Sequence, residues 1–240
     1  YLRLIKIPRV VILFHQQYIG LRLCEKIIKL RGGNTFIYLL DSGFFCVRSY
    51  NHVNGNHHEC LDCLGGNYKN IIVNSCRPSP VNNSYFKQFL INMQSYVNLK
   101  QINFLTQNTN QEKLVYSHYG ENANVKTVGL WTKDIPSFDN VKKDRSDSLD
   151  NDYILFHGAP LSAKGVYFTI SLASKYLDKK FIFPFEKNKL KGVTITSNCE
   201  FIPMTWDSGL KEIAINAKIV LVPSLNSPPI ESALIKSIML

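Results

Sequence analysis

Residues 153–177 read YILFHGAPLSAKGVYFTISLASKYL, and three patterns follow one another along them. Residues 153–157 form a short apolar run that is typical of a buried strand. Residues 158–165 form a loop that begins and ends with glycine, and residues 166–177 have the apolar spacing of a helix. A strand that leads through a short loop into a helix is half of a β-α-β unit, whose strands are parallel. This stretch therefore predicts an α/β fold.

The same alternation runs along the rest of the chain and predicts two Rossmann-like, parallel-sheet lobes with a cleft between them. Ser84 and Ser208 are predicted to begin two of the helices as capping residues. The predicted strands are residues 9–15, 34–41, 71–73, 102–106, 125–130, 153–157, 181–185, 193–196 and 218–223, and the predicted helices are residues 19–30, 84–99, 111–119, 166–177, 208–217 and 230–240.

A change of composition predicts the boundary between the lobes. Residues 131–152 are rich in aspartate and lysine and poor in apolar residues, as linkers are. We therefore predict an N-terminal lobe over residues 1–131, with a cysteine-rich loop at 46–76. A linker follows over residues 132–152, and a C-terminal lobe over residues 153–240.

Length and hydropathy exclude some classes of protein. The 240 residues are 45% hydrophobic and 19% charged, which suits a chain with a buried core rather than a disordered one. The longest apolar run, residues 10–14, is far shorter than the roughly 20 residues of a membrane-spanning helix. The first residues also lack the apolar region of a secretory signal.

The formal net charge is +10, and three of the basic residues define a candidate surface. Arg22, Lys26 and Lys29 fall on one face of the predicted helix 19–30, beside an apolar face of Leu23, Ile27 and Leu30. The basic face could be simply solvated, or it could meet an anionic membrane, a phosphorylated substrate or nucleic acid. No nucleic-acid-binding motif accompanies the charge, so no nucleic-acid partner is predicted.

Four of the six cysteines form a candidate metal site. Cys46, Cys60, Cys63 and Cys76 lie close together in sequence, and Cys60-Leu-Asp-Cys63 has the spacing of a metal knuckle. A structural zinc ion, free thiols and disulfides all remain open as interpretations, and a histidine could replace Cys76 as fourth ligand. The other two, Cys24 and Cys199, are expected to be small core residues.

Two loops carry the candidate ligand-binding residues. In the first, Gly158–Gly165, backbone N–H groups and a helix start favour an anion, and Lys164 adds a positive charge suited to a diphosphate. An ordinary turn with a solvated lysine is the alternative. The second loop follows a predicted strand and places Ser224, Asn226 and Glu231 at the same sheet edge. Glu231 either accepts hydrogen bonds from sugar or ribose hydroxyls or merely stabilises a helix start.

These loops resemble the nucleotide-binding domain of B-type glycosyltransferases, in the large group that uses nucleotide-diphosphate sugars. The matched features are the Gly158–Gly165 loop and the Val222-Pro-Ser224 segment before an acidic helix. The segment from Asp41 to Arg48 and the later Cys60-x-x-Cys63 are similar to a His-Asp-aromatic-Cys-Pro-Arg and Cys-x-x-Cys pattern of some bacterial members.

The resemblance implies an enzyme that moves a sugar from a nucleotide-diphosphate donor to a saccharide or lipid-linked acceptor in cell-surface polysaccharide synthesis. No cofactor is required for transfer. Glu231 would orient the donor, and Asp41 would contact the acceptor or act as general base. The implied donor-binding set is Gly158, Lys164, Gly165, Ser224, Asn226 and Glu231. The resemblance further implies a cytoplasmic location with peripheral contact at an anionic inner membrane face, and a chain that is part of a longer protein.

Departures from the family pattern support a second hypothesis. Ala159 stands where the family usually has an arginine, and Leu40 where it has the histidine of the His-Asp pair. Ser227 and Ile235-Lys236 stand where a pair of glutamates is expected. The alternatives are therefore a non-catalytic nucleotide-sugar-binding or scaffold protein of the same fold and, from the cysteines and charge, a zinc-dependent nucleic-acid-binding protein.

Overall fold

The computed structural model of the chain describes residues 9–130, 152–227 and 230–240, and these form two compact units. The first unit holds the described residues up to Val53, residues 59–130, and residues 227 and 230. The second holds residues 54–58, 152–226 and 231–240. The predicted linker, residues 132–152, lies outside the described residues except for Asp152.

The described residues of each unit form one four-stranded parallel sheet, so the predicted α/β class with parallel sheets is confirmed. The strands are β1 (Val11–Leu13), β2 (Thr35–Tyr38), β3 (Ile102–Thr106), β4 (Val125–Thr127), β5 (Tyr153–Phe156), β6 (Lys180–Phe183), β7 (Cys199–Phe201) and β8 (Ile219–Leu221). The helices are α1 (Gln16–Ile19), α2 (Leu21–Arg31), α3 (Asn70–Val73), α4 (Phe86–Asn98), α5 (Thr109–Tyr119), α6 (Val166–Lys175), α7 (Leu210–Asn216) and α8 (Ser232–Ile238).

The first sheet adds its strands in chain order, β1-β2-β3-β4. Right-handed crossovers between strands that always advance in one direction put their helices on one face of the sheet. Leu13, Ile37 and Phe104 are neighbours in register on that face and belong to one core with residues of α2, α4 and α5. On the opposite face, Ile12 is 47% exposed.

The second sheet reverses direction, with the order β7-β6-β5-β8. Its two faces accordingly pack into separate cores. Phe156 and Phe181 face α6 in one core, whereas Leu155 and Ile182 face α7 in the other. The reversal makes the gap between the carboxyl ends of β5 and β8 a topological switch point, which is where open α/β sheets bind ligands.

Two predicted strands are wrong. Residues 71–73 belong to helix α3, whose Ile72 and Val73 are about three-quarters exposed, so their β-branched side chains do not pack in a sheet. Residues 193–196 do not pair as a strand either. Val193 and Ile195 pack against the α6 core, and the strand β7 begins only at Cys199.

Both predicted serine caps are also wrong. Helix α4 begins at Phe86 after Tyr85, whose N–H donates to the Asn83 side chain, so Asn83 organises the turn instead of Ser84. Ser208 ends a short 3₁₀ turn, and Gly209 precedes α7. The hydroxyl of Ser208 accepts from the N–H of Thr205 in a capping box.

The apolar face predicted for the helix 19–30 is shifted in the structure. Leu21, Cys24 and Ile28 are completely buried, whereas Leu23 and Leu30 are 40% and 49% exposed. Cys24 is thus the core residue that its sequence position predicts, and Cys199 is half-buried against the α6 core. No helix in the described part of the chain is long and apolar enough to cross a membrane.

Candidate functional site

The second unit brings three of the predicted donor-binding residues together at the switch point. The Lys164 Nζ lies 2.6 Å from Glu231 Oε2, and the Ser224 hydroxyl donates to the same oxygen at 2.5 Å. The side chains of Lys164 and Glu231 are each only 13% exposed. The Glu231 carboxylate therefore accepts hydrogen bonds from both Lys164 and Ser224, at the point where the loops after β5 and β8 meet.

Two backbone features hold these loops against each other. The Leu225 N–H donates to the Ala163 carbonyl at 2.8 Å. Gly165 has φ +74°, and a β-carbon there would lie 2.1 Å from the Pro223 carbonyl oxygen. Only glycine permits both this backbone conformation and this approach. Gly165 is thus required for packing of the two loops, and it also precedes the first residue of α6.

Asn226 is placed in the same loop as Ser224, and its side chain is unusual. The residue is 7% exposed, and its Oδ1 has no hydrogen-bond partner among the described residues. A buried acceptor without a partner costs about 1–3 kcal/mol. A ligand that donates a hydrogen bond to this oxygen would recover that cost.

His157 lies close to this cluster, although no sequence motif indicates a role for it. It directly follows β5, and its ring stacks on Trp206 with centroids 5.5 Å apart. Its Nδ1 lies 2.8 Å from the Ser237 hydroxyl. Burial, reinforced by nearby Lys236, lowers the pKa of His157, so the ring is predominantly neutral at pH 7. Its position immediately before Gly158 was the one sequence signal that could have identified it.

Asp41 lies in the first unit, just beyond the carboxyl end of β2. Its Oδ1 accepts from the Gly43 N–H at 2.7 Å, and burial raises the pKa of its carboxyl group. The pKa of Asp41 is lowered in turn by the hydrogen bond from this N–H, by the electrostatic interaction with His15 and by a hydrogen bond from Ser49, but burial has the larger effect. His15 and Ser49 are non-glycine residues with φ of 47° and 57°, a strained conformation that often occurs at functional sites.

The segment that leads to Asp41 is held by two glutamine side chains. Gln107 and Gln111 both donate to the Leu39 carbonyl, at 2.9 and 3.2 Å, and both glutamines are buried. The carbonyl of Leu39 is thus fixed directly after β2. The sequence alone did not indicate this support, because Gln107 and Gln111 lie some 70 positions away.

All four cysteines of the candidate metal site line one recess of the first unit. Cys46 and Cys63 are buried, Cys60 and Cys76 are half-buried, and all four thiols are free. Burial raises the pKa of each thiol, to about 11 for Cys63. Within the described residues, no three or more histidine, cysteine, aspartate or glutamate side chains are already arranged so that they could hold a metal ion.

No family model, no curated protein and no solved structure matches this chain. The fold and site define an α/β protein with two parallel sheets and a charged cluster at the switch point of the second.

Proposed function

We propose that the second unit binds a nucleotide-diphosphate sugar and that the protein is a glycosyltransferase. The acceptor would be a saccharide or lipid-linked sugar, as in cell-surface polysaccharide synthesis. The observation that carries the proposal is the Lys164–Glu231–Ser224 cluster at the switch point between β5 and β8. Phosphate groups bind where a helix start and a cation coincide, and Lys164 lies directly before Gly165 and α6.

Each residue of the cluster has a role in donor binding. Lys164 would pair with the diphosphate, whose negative charge exceeds that of Glu231. Glu231 would then accept hydrogen bonds from sugar or ribose hydroxyls, in place of those it now accepts from Lys164 and Ser224. Asn226 would accept a further hydrogen bond at its unpaired Oδ1.

The proposed transfer step is a substitution at the anomeric carbon of the donor. The acceptor hydroxyl oxygen forms a bond to the anomeric carbon of the donor as the bond from that carbon to the diphosphate breaks. The nucleoside diphosphate leaves with the electron pair, and Lys164 stabilises the charge that develops on it. The hydroxyl proton passes to Asp41 as general base, a role favoured by its raised pKa. The proposal assigns donor binding to the second unit and the general base to the first.

Donor binding can be tested by calorimetry with uridine and guanosine diphosphate sugars. We expect Lys164→Ala to weaken binding more than tenfold, because it removes the cation beside the diphosphate. Lys175→Ala is the matched control, since Lys175 is exposed in the last turn of the same helix α6. Equal affinity in the wild type and Lys164→Ala would refute the assignment of the site.

A non-catalytic nucleotide-sugar-binding protein is the second candidate. Glu231 is the only carboxylate in its loop, and Ala159 replaces the arginine of the resembled family, which favours binding without turnover. Release of nucleoside diphosphate from a bound donor separates the two candidates. For the enzyme, Asp41→Asn should lower this release at least tenfold with donor affinity unchanged, and Asp178→Asn, at an exposed position, should not. A chain that binds the donor but never releases nucleoside diphosphate is the non-catalytic protein.

The proposal places the protein on the cytoplasmic side of a membrane that supplies a lipid-linked acceptor. Lys26 and Lys29 are exposed on α2 and would meet anionic lipid headgroups. Sedimentation with vesicles of anionic and of neutral phospholipid tests this part separately. Equal sedimentation with both kinds of vesicle would remove membrane contact from the proposal and leave donor binding unaffected.

A further inference from the structure

We infer that the first unit contains a structural zinc site formed by Cys46, Cys60, Cys63 and Cys76. This site is independent of donor binding, which we assign to the second unit. All four thiols line the same recess, although they come from positions spread over residues 46–76. Four thiolates around one ion form a closed tetrahedral zinc site, the type that supports folding rather than catalysis.

The segment that carries the cysteines has little regular structure. Between the end of β2 at Tyr38 and the start of α4 at Phe86, the only helices are the four-residue α3 and the 3₁₀ turn Leu64–Gly66. Connections of this length without regular structure are uncommon in compact domains. The backbone and side chains of this segment must therefore be held in place by contacts other than those of a sheet or a long helix. A zinc ion held by cysteines from both ends of the segment would do this.

The backbone at Cys60 and Cys63 is fixed by hydrogen bonds and followed by a turn. The Cys60 N–H donates to the Asn51 carbonyl, which fixes the start of the turn. The Gly66 N–H donates to the Cys63 carbonyl, and Gly65 and Gly66 both have positive φ. The chain thus turns directly after the second thiol, and the two thiols have the three-residue spacing that structural zinc sites use.

The composition of the recess favours zinc over a harder cation. Its lining contains four cysteines and Arg48 but neither aspartate nor glutamate. Calcium and magnesium prefer oxygen ligands, whereas thiolates select zinc and other soft metals. A zinc ion with four thiolates carries a net charge of −2, which the guanidinium of Arg48 would partly offset. As they stand, the thiols are not arranged as a ligand set, so binding requires their side chains to turn towards a common centre.

Asn74 lies among the thiols and would serve as an outer support. Its side-chain nitrogen donates to the Cys60 sulfur at 3.9 Å, and its backbone carbonyl accepts from the Cys76 thiol at 3.8 Å. N–H groups that donate to a coordinated thiolate orient it and stabilise its charge. Asn74 is therefore placed to support Cys60 as a ligand, whereas Cys76 would give up its contact with the Asn74 carbonyl on losing its proton.

The test uses the full chain, purified with reductant, and zinc or cobalt(II) as the probe. We expect one zinc per chain, and we expect cobalt(II) to give the visible and thiolate charge-transfer absorption of a tetrahedral sulfur site. The variant Cys60→Ser/Cys63→Ser should bind zinc at least 100-fold more weakly. Cys199→Ser is the control, since Cys199 lies in the other unit, and it should bind zinc like the wild type.

A second measurement works even where the double variant fails to fold. In the wild type, zinc should protect Cys46, Cys60, Cys63 and Cys76 from alkylation, and a chelator should remove that protection. Wild-type protein that takes up no zinc, or that takes up cobalt(II) without a thiolate charge-transfer band, would overturn the inference. Disulfides among these four cysteines in protein kept under reductant would overturn it as well.

Discussion

The two sheets are built from the same kind of strand but differ in order, and the difference determines where a ligand can bind. The first runs β1-β2-β3-β4 without reversal and packs one described core on one face. The second runs β7-β6-β5-β8 and packs two cores, one on each face. Only a reversal separates the loops at the carboxyl ends of neighbouring strands and opens a crevice between them. The charged cluster of Lys164, Ser224 and Glu231 accordingly lies in the second unit.

The largest expected effects come from core truncations that compare the two sheets. In the second sheet, Phe181→Ala should lower the free energy of unfolding by about 3–5 kcal/mol and Ile182→Ala by about 2–5 kcal/mol. Both losses are large because these adjacent residues are buried in different cores, one on each face of the sheet. In the first sheet, Leu13→Ala should cost about 2–5 kcal/mol and its neighbour Ile12→Ala less than about 1 kcal/mol. Urea unfolding followed by circular dichroism measures all four. Equal losses at Leu13 and Ile12 would break the comparison.

Gly165→Ala should destabilise the second unit by about 3 kcal/mol, because the new methyl group would meet the Pro223 carbonyl. Gly192→Ala is the matched control. Gly192 also has positive φ, at 66°, but a β-carbon there has no atom within 4 Å, so only the backbone strain of about 1 kcal/mol remains. Thermal or urea unfolding of both variants checks this difference. Similar losses would show that the two loops do not pack as closely as described.

Acid should destabilise the first unit through His118. Burial lowers the pKa of His118 to about 4, so the folded state resists protonation while the unfolded state accepts a proton near pH 6.5. The contribution of neutral His118 to the free energy of unfolding is therefore fully present above pH 6.5. It is lost as the pH falls towards 4, and the loss amounts to about 2–3 kcal/mol. Urea unfolding midpoints at several pH values measure how steeply the stability falls with pH, which is the slope of this dependence. His118→Phe should flatten it, and an unchanged slope in that variant would contradict the prediction.

The smallest effect is expected at the start of α5. The side chain of Asn108 accepts from the Gln111 N–H at 2.8 Å, so Asn108→Ala should cost about 1 kcal/mol. Asn110→Ala is the control, because Asn110 lies within α5 and is exposed. Urea midpoints distinguish the pair. A loss at Asn110 as large as that at Asn108 would mean that the cap does not account for the effect.

Much of the fold could be predicted from apolar periodicity, because strands and helices that face a core repeat their apolar residues at fixed intervals. The prediction of residues 102–106 as a strand matches β3 residue for residue. Periodicity failed at residues 71–73, where β-branched side chains are exposed on a short helix. It also failed at 193–196, where apolar residues pack against a core without strand pairing. The apolar pattern of a short segment does not show whether another strand lies beside it to form a sheet.

The candidate site could be predicted only where its parts lie in loops after strands. Lys164, Ser224 and Glu231 each follow a strand, and strand ends of a parallel sheet meet at one edge. His157 was missed because its stacking partner, Trp206, is almost 50 positions away and carries no motif. The shared recess of the four cysteines was indicated by spacing, whereas the arginine in its lining was not.

The order of the strands also affects how each sheet can form as the chain is synthesised. In the first unit every new strand pairs with the one made just before it, so the sheet can grow from its first strand as the chain leaves the ribosome. In the second unit Ile154 pairs with Ile219, which emerges only after β6 and β7. One edge of β5 therefore stays without its partner until β6 and β7 have been made, and contacts so distant in sequence are the slow ones to form. Completion of the switch point, with the loops that carry Lys164 and Glu231, is consequently a late event in the folding of this unit.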